Sequence, residues 1–269
     1  MKNILEIQDL SVGYPGQEDV VRNINFSVEK GEITAVVGES GSGKSTLLSA
    51  ILGLIPSGGK ISGGRILYDG EDMSRLNREE RRLIRGGKIA MVFQNAGEYL
   101  NPRRTIGSQY LEMMKYHLPG TKKEHRSCAM EMLKKLHLAD PERVMQSYPF
   151  ELSGGMRQRV ALAMAMSSEP ELLLADEPTS ALDVTVQAQV VREMLQMRAQ
   201  SGTTILIVTH NIGVASRMAD HIVVMKDGEQ REYGTRQQVI ENPQDEYTKY
   251  LLSAVPELER DEDDGCGKK

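Results

Sequence analysis

Short, continuous runs of apolar residues alternate along the chain with segments whose apolar residues recur at helical spacing. The runs are rich in β-branched residues and predict buried strands, because strands covered on both faces lack polar alternation. Strands that alternate with helices indicate an α/β architecture with a mostly parallel sheet. The predicted strands are 33–37, 88–94, 171–176, 203–210 and 221–229, the last running into a turn at Asp227 and Gly228.

The stretch from about residue 97 to residue 168 has a different pattern. It carries many Met, Lys and Glu residues and few β-branched ones, and residues 128–138 and 156–168 have helical periodicity. We therefore expect a helical subdomain inserted between strands. Its methionines are interpreted as packing residues, since this flexible side chain fills irregular gaps; a methionine-based metal site is the alternative.

Composition and charge narrow the class of protein. The 269 residues suit one large domain or two small ones. A formal net charge of −5 argues against a protein that coats nucleic acid through bulk charge. No apolar run approaches the ~20 residues that cross a bilayer, so we expect a cytosolic chain that meets a membrane only through a partner. Cys128 and Cys266 are too few for a disulfide framework or a cysteine-only metal site.

The strongest chemical signal is a phosphate-binding loop of the form G-x-x-x-x-G-K-[ST], placed between a predicted strand and a predicted helix. Its glycines allow turns in which backbone N–H groups face phosphate oxygens, and the helix presents its positive N-terminal end. Lys44 would add positive charge at the β- and γ-phosphates, and the Ser45 hydroxyl would reach Mg²⁺. The candidate nucleotide-binding residues are Gly38, Glu39, Ser40, Gly41, Ser42, Gly43, Lys44, Ser45 and Thr46.

A second signal is a pair of carboxylates, Asp176 and Glu177, at the end of a buried strand. Ligands of open α/β sheets lie at the carboxyl ends of the strands. Asp176 is therefore expected to face the Mg²⁺ that bridges the β- and γ-phosphates, and Glu177 to polarise the attacking water.

A third signal is a serine–glycine sequence, Ser153, Gly154 and Gly155, at the start of an apolar helix. It is a second anion-binding device of the same physical kind as the phosphate loop. One nucleotide hardly needs two such devices from one chain.

The order of these motifs, with Gln94 before the serine–glycine sequence and His210 after the carboxylates, resembles that of ATP-binding cassette (ABC) proteins over roughly residues 4–255. The resemblance implies a phosphate-loop ATPase core, an antiparallel N-terminal β subdomain and the inserted helical subdomain. The expected divisions are an ATP-binding domain at 1–235, a C-terminal helical extension at 236–257 and a disordered acidic tail at 258–269.

The resemblance also implies roles for single residues. Gln94 matches the glutamine that joins Mg²⁺ and the attacking water to the transporter contact, and Glu177 matches the general base. His210 matches the switch histidine on the γ-phosphate. Tyr14 matches the aromatic residue that stacks on adenine; an ordinary turn tyrosine is the alternative. Asp183 matches the loop that crosses between partner subunits.

In this family the serine–glycine signature of one subunit closes over ATP held by another, so a second ABC ATPase subunit is implied. The wording at 93–107, 147–166, 176–190 and 242–256 resembles ATPase subunits of oligopeptide, dipeptide and nickel importers. Those importers use two different cassettes, two transmembrane permease subunits and an extracytoplasmic solute-binding protein. The resemblance thus implies an ATPase that energises import at the cytoplasmic face of the cell membrane. It places Asn95–Pro102 near the groove for a permease helix.

The tail and the remaining alternatives complete the expectations. Cys266 alone cannot hold an iron–sulfur cluster, which needs about four ligands, so no cluster is expected. The short tail favours nickel or metallophore import over peptide import. A soluble ABC ATPase of translation or DNA repair is the alternative function, although the sequence shows neither tandem cassettes nor zinc-binding cysteines. A phosphate-loop kinase is a third possibility, against which the signature and Glu177 argue.

Overall fold

The computed structural model describes residues 2–16, 19–56, 58–180 and 182–254. The strands in this part are β1 (Asn3–Gly13), β2 (Val21–Glu29), β3 (Ile33–Val37), β4 (Lys60–Tyr68), β5 (Glu71–Asp72), β6 (Ile89–Val92), β7 (Leu172–Asp176), β8 (Thr204–Thr209), β9 (His221–Lys226) and β10 (Glu229–Thr235). The helices are α1 (Lys44–Ile51), α2 (Arg78–Ile84), α3 (Ile106–His117), α4 (Lys122–Lys135), α5 (Pro141–Gln146), α6 (Gly154–Met166), α7 (Val184–Ser201), α8 (Ile212–Met218), α9 (Arg236–Glu241) and α10 (Glu246–Ser253), with 3₁₀ turns at Ala96–Glu98 and Pro149–Glu151.

The strands join in one hydrogen-bonded order, β5-β4-β1-β2-β10-β9-β3-β8-β7-β6. The four strands at the β5 end pair antiparallel, whereas β9, β3, β8, β7 and β6 run parallel. The two halves meet where Glu229 of β10 pairs with Arg22 of β2. The α/β fold class, with a parallel core and an antiparallel N-terminal part, is confirmed.

The parallel strands are mostly apolar and buried because both faces of the sheet are covered. Ile33, Ala35 and Val37 of β3 pack in one core with Tyr110 of the inserted helices, whereas Val36 packs in a second core with α1 and the antiparallel strands. Each fully buried valine or isoleucine side chain stabilises the fold by about 1.5–3 kcal/mol. A hydrophobic core thus packs against each face of the sheet.

Helices α3 to α6 lie between β6 and β7 in the chain, where the sequence predicts inserted helices. Tyr110 of α3 is fully buried, and its hydroxyl forms a 2.6 Å hydrogen bond with the Ser167 hydroxyl at the end of α6. Met114, Met145 and Met166 lie in the same core, in agreement with a packing role. This contact fixes α6 against the rest of the subdomain.

The predicted strands 88–94 and 203–210 end two residues and one residue early, whereas the strand from His221 stops at the predicted turn. Phe93 and Gln94 leave the sheet after Val92 and begin a loop, and the strand from His221 ends at Lys226. Asp227 and Gly228 both have positive φ, 51° and 82°, which suits the tight hairpin turn that leads into β10.

The predicted C-terminal extension contains α9 and α10 as far as residue 254. Its last residues and the predicted disordered tail, with Cys266, lie outside the described residues. No helix of the described part is both long and apolar enough to cross a membrane.

Candidate active site

The phosphate loop joins β3 to α1 and is held closed by its own lysine. Lys44 is only 5% exposed, and its Nζ donates hydrogen bonds to the carbonyl oxygens of Gly38 at 2.8 Å and Glu39 at 2.6 Å. Burial lowers the pKa of Lys44, and the carboxylates of Glu177 and Asp176 oppose this shift. The ammonium group is therefore poised inside the loop for an incoming anion.

Two glycines are required by the loop's geometry. A Cβ atom on Gly38 would lie 2.1 Å from the carbonyl oxygen of Met225 on β9, so no side chain fits there. Gly43 precedes α1 with a φ of 94°, a conformation that glycine adopts without strain. The first helical hydrogen bond runs from the Leu47 N–H to the Gly43 carbonyl. The earlier N–H groups of the helix are therefore free to bind an anion.

A hydroxyl and a carboxylate from different elements meet beside the loop. The Ser45 Oγ donates to Asp176 Oδ1 at 3.1 Å, and Asp176 is 6% exposed at the end of β7. Burial raises the pKa of Asp176, the hydrogen bond from Ser45 lowers it, and the neighbouring Glu177 raises it. Hard oxygen donors of this kind suit Mg²⁺.

Glu177 is the centre of a cluster built from three strand ends. Its Oε2 accepts a hydrogen bond from Gln94 Nε2 at 3.2 Å and lies 3.1 Å from His210 Nδ1. The Glu177 side chain is 12% exposed, whereas His210 is 55% exposed. Glu177 also has a φ of 43°, a strained conformation for a residue with a side chain, which its N–H bond to the Val208 carbonyl holds in place.

These groups surround one cavity of about 810 Å³. The phosphate loop, Gln94, Glu177 and His210 line it together, so the structure unites motifs that lie far apart in the sequence. Ser180 also lines the cavity, and its Oγ donates to the Glu177 carbonyl at 3.2 Å. From the sequence, Ser180 begins the segment, ending at Asp183, that matches the loop crossing between partner subunits; its contact with Glu177 was not predicted.

Tyr14 does not line this cavity. It is half-buried against Gly59, where an added Cβ would lie 2.6 Å from Tyr14 Cε1. Gly59 belongs to the segment between α1 and β4. The ring is thus placed by that segment, and its contact with adenine stays a prediction.

The serine–glycine signature lies apart from the cavity. The Ser153 Oγ caps α6 by accepting from the Met156 N–H at 3.3 Å. Gly154 has open space around it, whereas a Cβ on Gly155 would lie 2.8 Å from a methyl group of Val186 on α7. Gly155 therefore lets α6 and α7 approach closely.

Asp183 caps α7 in the same way, with its Oδ1 accepting from the Val186 N–H at 3.0 Å. The carboxylate is exposed, and the next residue, Val184, is among the most exposed apolar residues described. The start of α7 and the signature thus form neighbouring parts of one surface.

A family model described as "ABC transporter" matches residues 21–180. The chain is 41% identical over 263 residues to the dipeptide transport ATP-binding protein DppD of Bacillus subtilis (strain 168), covering 96% of this chain and 78% of that protein. It is also 41% identical over 260 residues to the oligopeptide transport ATP-binding protein OppD of the same strain, covering 95% and 73%. The chain belongs to the ABC transporter family.

Solved structures of ABC cassettes share the fold. The dimeric, post-hydrolysis state of the ATP-binding cassette MJ0796 bound to ADP and Pi aligns with a TM-score of 0.76 at 32% identity, covering 86% of this chain and 98% of that chain. The cassette cbiO1 from Clostridium perfringens aligns with a TM-score of 0.78 at 27% identity, covering 95% and 97%. The present chain is an ABC cassette and an ATPase.

One contact of the cassette was missed by sequence reasoning. The Glu39 N–H of the phosphate loop donates to the Tyr247 hydroxyl of α10 at 3.2 Å, and Lys226 Nζ lies 4.6 Å from the centre of the Tyr247 ring. The only signal for this contact in the sequence was the similarity of residues 242–256 to importer ATPase subunits, and that similarity assigned no role to Tyr247. The C-terminal helix therefore contacts the nucleotide loop directly.

Proposed function

We propose that this cassette hydrolyses ATP to energise the import of a peptide or a nickel- or metal-chelate solute through a membrane transporter. The observation that carries the proposal is that the catalytic motifs of this chain line one cavity and its signature does not. The phosphate loop, Gln94, Glu177 and His210 converge on one cavity, which the signature at Ser153 does not line. Such a chain needs a partner cassette to complete the site.

The roles of the residues follow from their contacts. Lys44 and the free N–H groups of α1 bind the β- and γ-phosphates. Glu177 accepts a proton from water as the water oxygen attacks the γ-phosphorus and the bond to the β–γ bridging oxygen breaks. His210 and Gln94, each in contact with the Glu177 carboxylate, orient that base and the water.

Mg²⁺ is the expected companion of ATP, and the donor set fits it. Ser45 and Asp176 supply hydroxyl and carboxylate oxygens 3.1 Å apart. Gln94, the third predicted ligand, donates its amide N–H to Glu177, which leaves its amide oxygen for the metal. When bound, the ion would neutralise charge on the β- and γ-phosphates.

The second ATPase subunit would receive the signature of this chain. Ser153, Gly154 and Gly155 would bind the γ-phosphate of ATP held by the partner, and Asp183 would lie at the crossing between subunits. The exposed capping positions of Ser153 and Asp183 support this proposal. A different partner chain is proposed, in line with the resemblance to importers that use two cassettes.

The complex would contain two permease subunits, and a helix of one of them would dock beside Asn95–Pro102. A cavity of about 480 Å³ lies between this segment and Arg157 of α6, and an apolar cavity of about 250 Å³ adjoins it around Phe93 and Tyr99. A short permease helix would fit this groove and hold the cassette at the cytoplasmic face of the membrane. An extracytoplasmic solute-binding protein would deliver the solute, and no nucleic acid is involved.

The solute is proposed from the relatives. Proteins named for dipeptide and oligopeptide transport share about two fifths of their aligned residues with this chain, which favours peptides. We therefore place short peptides first and metal chelates second, with no iron–sulfur cluster.

The domain division proposed from the sequence accompanies this function. Residues 1–235 would form the ATP-binding domain, with the helical subdomain at about 97–168, and 236–257 would form the extension. The helices at 106–166 and at 236–253 support these divisions. The tail at 258–269 lies outside the described residues.

The test is reconstitution with the permeases and second cassette encoded by neighbouring genes. Liposomes carrying the complex and the binding protein should take up short peptides only with ATP, and those peptides should stimulate ATP hydrolysis. Co-purification of the chain with ribosomes or DNA, and not with permeases, would instead support the soluble ATPase alternative. A phosphorylated small-molecule product would support the kinase.

A further inference from the structure

A separate cavity lies at the end of α1 that is far from the phosphate loop. Its volume is about 440 Å³, within the range of small-molecule sites. It shares no lining residue with the cavity around Lys44 and Glu177. Its aliphatic wall consists of Leu52, Ile55, Ile61, Ile66 and Met73.

Two arginines line the same cavity. Arg81 of α2 is half-buried, and its Nε is fully buried with no hydrogen-bond partner among the described residues. Its Nη2 donates to the Ser74 carbonyl at 3.1 Å. The Nε of Arg65 on β4 donates a hydrogen bond to Gln8 Oε1 at 2.6 Å. The buried Nε of Arg81 has no surface that a ligand could reach, so the hydrogen-bond donors that Arg81 can offer to a ligand are those on Nη1 and Nη2.

A third arginine adds to the positive charge. Arg85 donates to the Leu52 carbonyl at 2.7 Å and to the Gly53 carbonyl at 3.1 Å, at the end of α1. A Cβ on Gly53 would lie 3.1 Å from Arg85 Nη2 and 3.7 Å from Arg81 Nη1, so the two guanidinium groups are neighbours. Burial, and then the charge of Arg81, lowers the pKa of Arg85.

Within the described ranges, no carboxylate forms an ion pair with any of these three arginines; Asp72, whose pKa is lowered by hydrogen bonds from Ser74 and then by the charges of Arg75 and Arg65, is close enough to interact with Arg65. Arg65, Arg81 and Arg85 have no carboxylate oxygen within 4 Å in the described part of the chain. Asp72 and Glu79 pair instead with Arg75 and Arg82. The arginines at the cavity keep free donors next to an apolar wall.

We propose that this cavity binds an anionic amphiphile, a molecule with one phosphate or carboxylate group and an apolar body. Arg81 and Arg65 bind the anionic group through charge-assisted hydrogen bonds, which guanidinium groups form well with such oxygens. The aliphatic wall removes the body from water. The site is independent of the ATP site and of the proposed transport role.

Calorimetry of the full chain with octyl phosphate tests the proposal. We expect saturable binding at one site, and at least tenfold weaker binding in Arg81→Gln and in Arg65→Gln, equivalent to about 1.4 kcal/mol. The matched control is Arg78→Gln, an exposed arginine on the same helix, which should bind like the native chain. Octanol and inorganic phosphate, each with half of the chemistry, should bind more weakly.

Absence of saturable binding in the native chain, or equal affinity in a folded Arg81→Gln variant, would overturn the proposal. Circular dichroism shows whether each variant is folded. If the Arg81→Gln variant does not fold, Arg65→Gln, at an exposed strand position, replaces it in the comparison of affinities. Sedimentation with phosphatidylglycerol or phosphatidylcholine vesicles then distinguishes the sources. Phosphatidylglycerol-dependent sedimentation that Arg81→Gln loses identifies a lipid head group. Sedimentation that does not depend on Arg81, with octyl phosphate binding still weakened, identifies a soluble ligand.

Discussion

Replacement of Glu177 by Gln removes the proposed base and changes little else. Glutamine has the same shape, and its carbonyl oxygen can still accept the hydrogen bond that Gln94 donates at 3.2 Å. An amide cannot take a proton from water. Since the charge of Glu177 raises the pKa of Asp176, its removal also keeps Asp176 ionised at lower pH. The site should therefore still bind ATP and Mg²⁺.

The size of the effect follows from the role of a positioned base. General-base catalysis contributes about 10²- to 10⁴-fold, or about 2.7–5.4 kcal/mol of barrier height. We expect ATP turnover by the assembled complex to fall by that factor. Binding of ATP should change by less than about threefold, because Lys44 and the α1 N–H groups are untouched. A closed dimer that retains ATP should accumulate.

Steady-state phosphate release and equilibrium nucleotide binding measure the two quantities separately. Glu171→Gln is the matched control, because Glu171 precedes β7 and lies at the opposite end of the same strand. Its contacts are surface pairs with Lys30 and Lys88, at 3.5 and 3.9 Å, so turnover should be unchanged. Parental turnover in the Glu177→Gln complex would show that another group takes the proton.

Three further predictions concern other contacts. Ser45→Ala removes the hydroxyl beside Asp176 and should raise the Mg²⁺ concentration that gives half-maximal ATPase activity by at least about tenfold. A metal titration measures this concentration, and an unchanged value would exclude Ser45 as a ligand. Glu193 is 2% exposed, and neither of its carboxylate oxygens has a hydrogen-bond partner in the described part of the chain, so Glu193→Leu should raise the unfolding free energy by about 1–3 kcal/mol. Burial raises the pKa of Glu193 above its ordinary value of 4.5, so the folded chain keeps this proton to higher pH than the unfolded chain does. The free energy of unfolding should therefore fall as pH rises from the pKa of the unfolded chain to that of the folded chain. Thermal unfolding of the Glu193→Leu variant should lack this pH dependence. Tyr247→Phe removes the acceptor for the Glu39 N–H and should weaken ATP binding by about 2- to 10-fold in a fluorescent-nucleotide titration, whereas equal affinity would show that the contact is incidental.

The sequence predicted the elements of the site better than their contacts. A glycine-rich loop after an apolar run and two carboxylates at a strand end are local patterns, and both lie where they were expected. The meeting of His210 with Glu177 depends on β7 and β8 being neighbours in the sheet, which the order of motifs along the chain does not state. Only the folded sheet supplies that adjacency.

Long-range side-chain contacts were beyond local patterns. Tyr247 and Glu39 are 208 residues apart, and nothing in the wording around either residue signals a hydrogen bond between them. Glu193 occupies a helix position where a charged residue normally indicates a solvent-facing side, yet it is buried. In both cases the packing of distant elements, and not the pattern within one element, decides the environment.

The hydrogen bond from the phosphate loop to α10 has a practical consequence for work with shortened versions of this cassette. A chain cut before residue 246 would retain every recognised nucleotide motif but would lack the acceptor that restrains the loop's backbone at Glu39. Rates measured on such a fragment would describe a looser loop as well as a missing helix. Comparisons between trimmed and intact cassettes should therefore include the Tyr247→Phe protein, which separates the two effects.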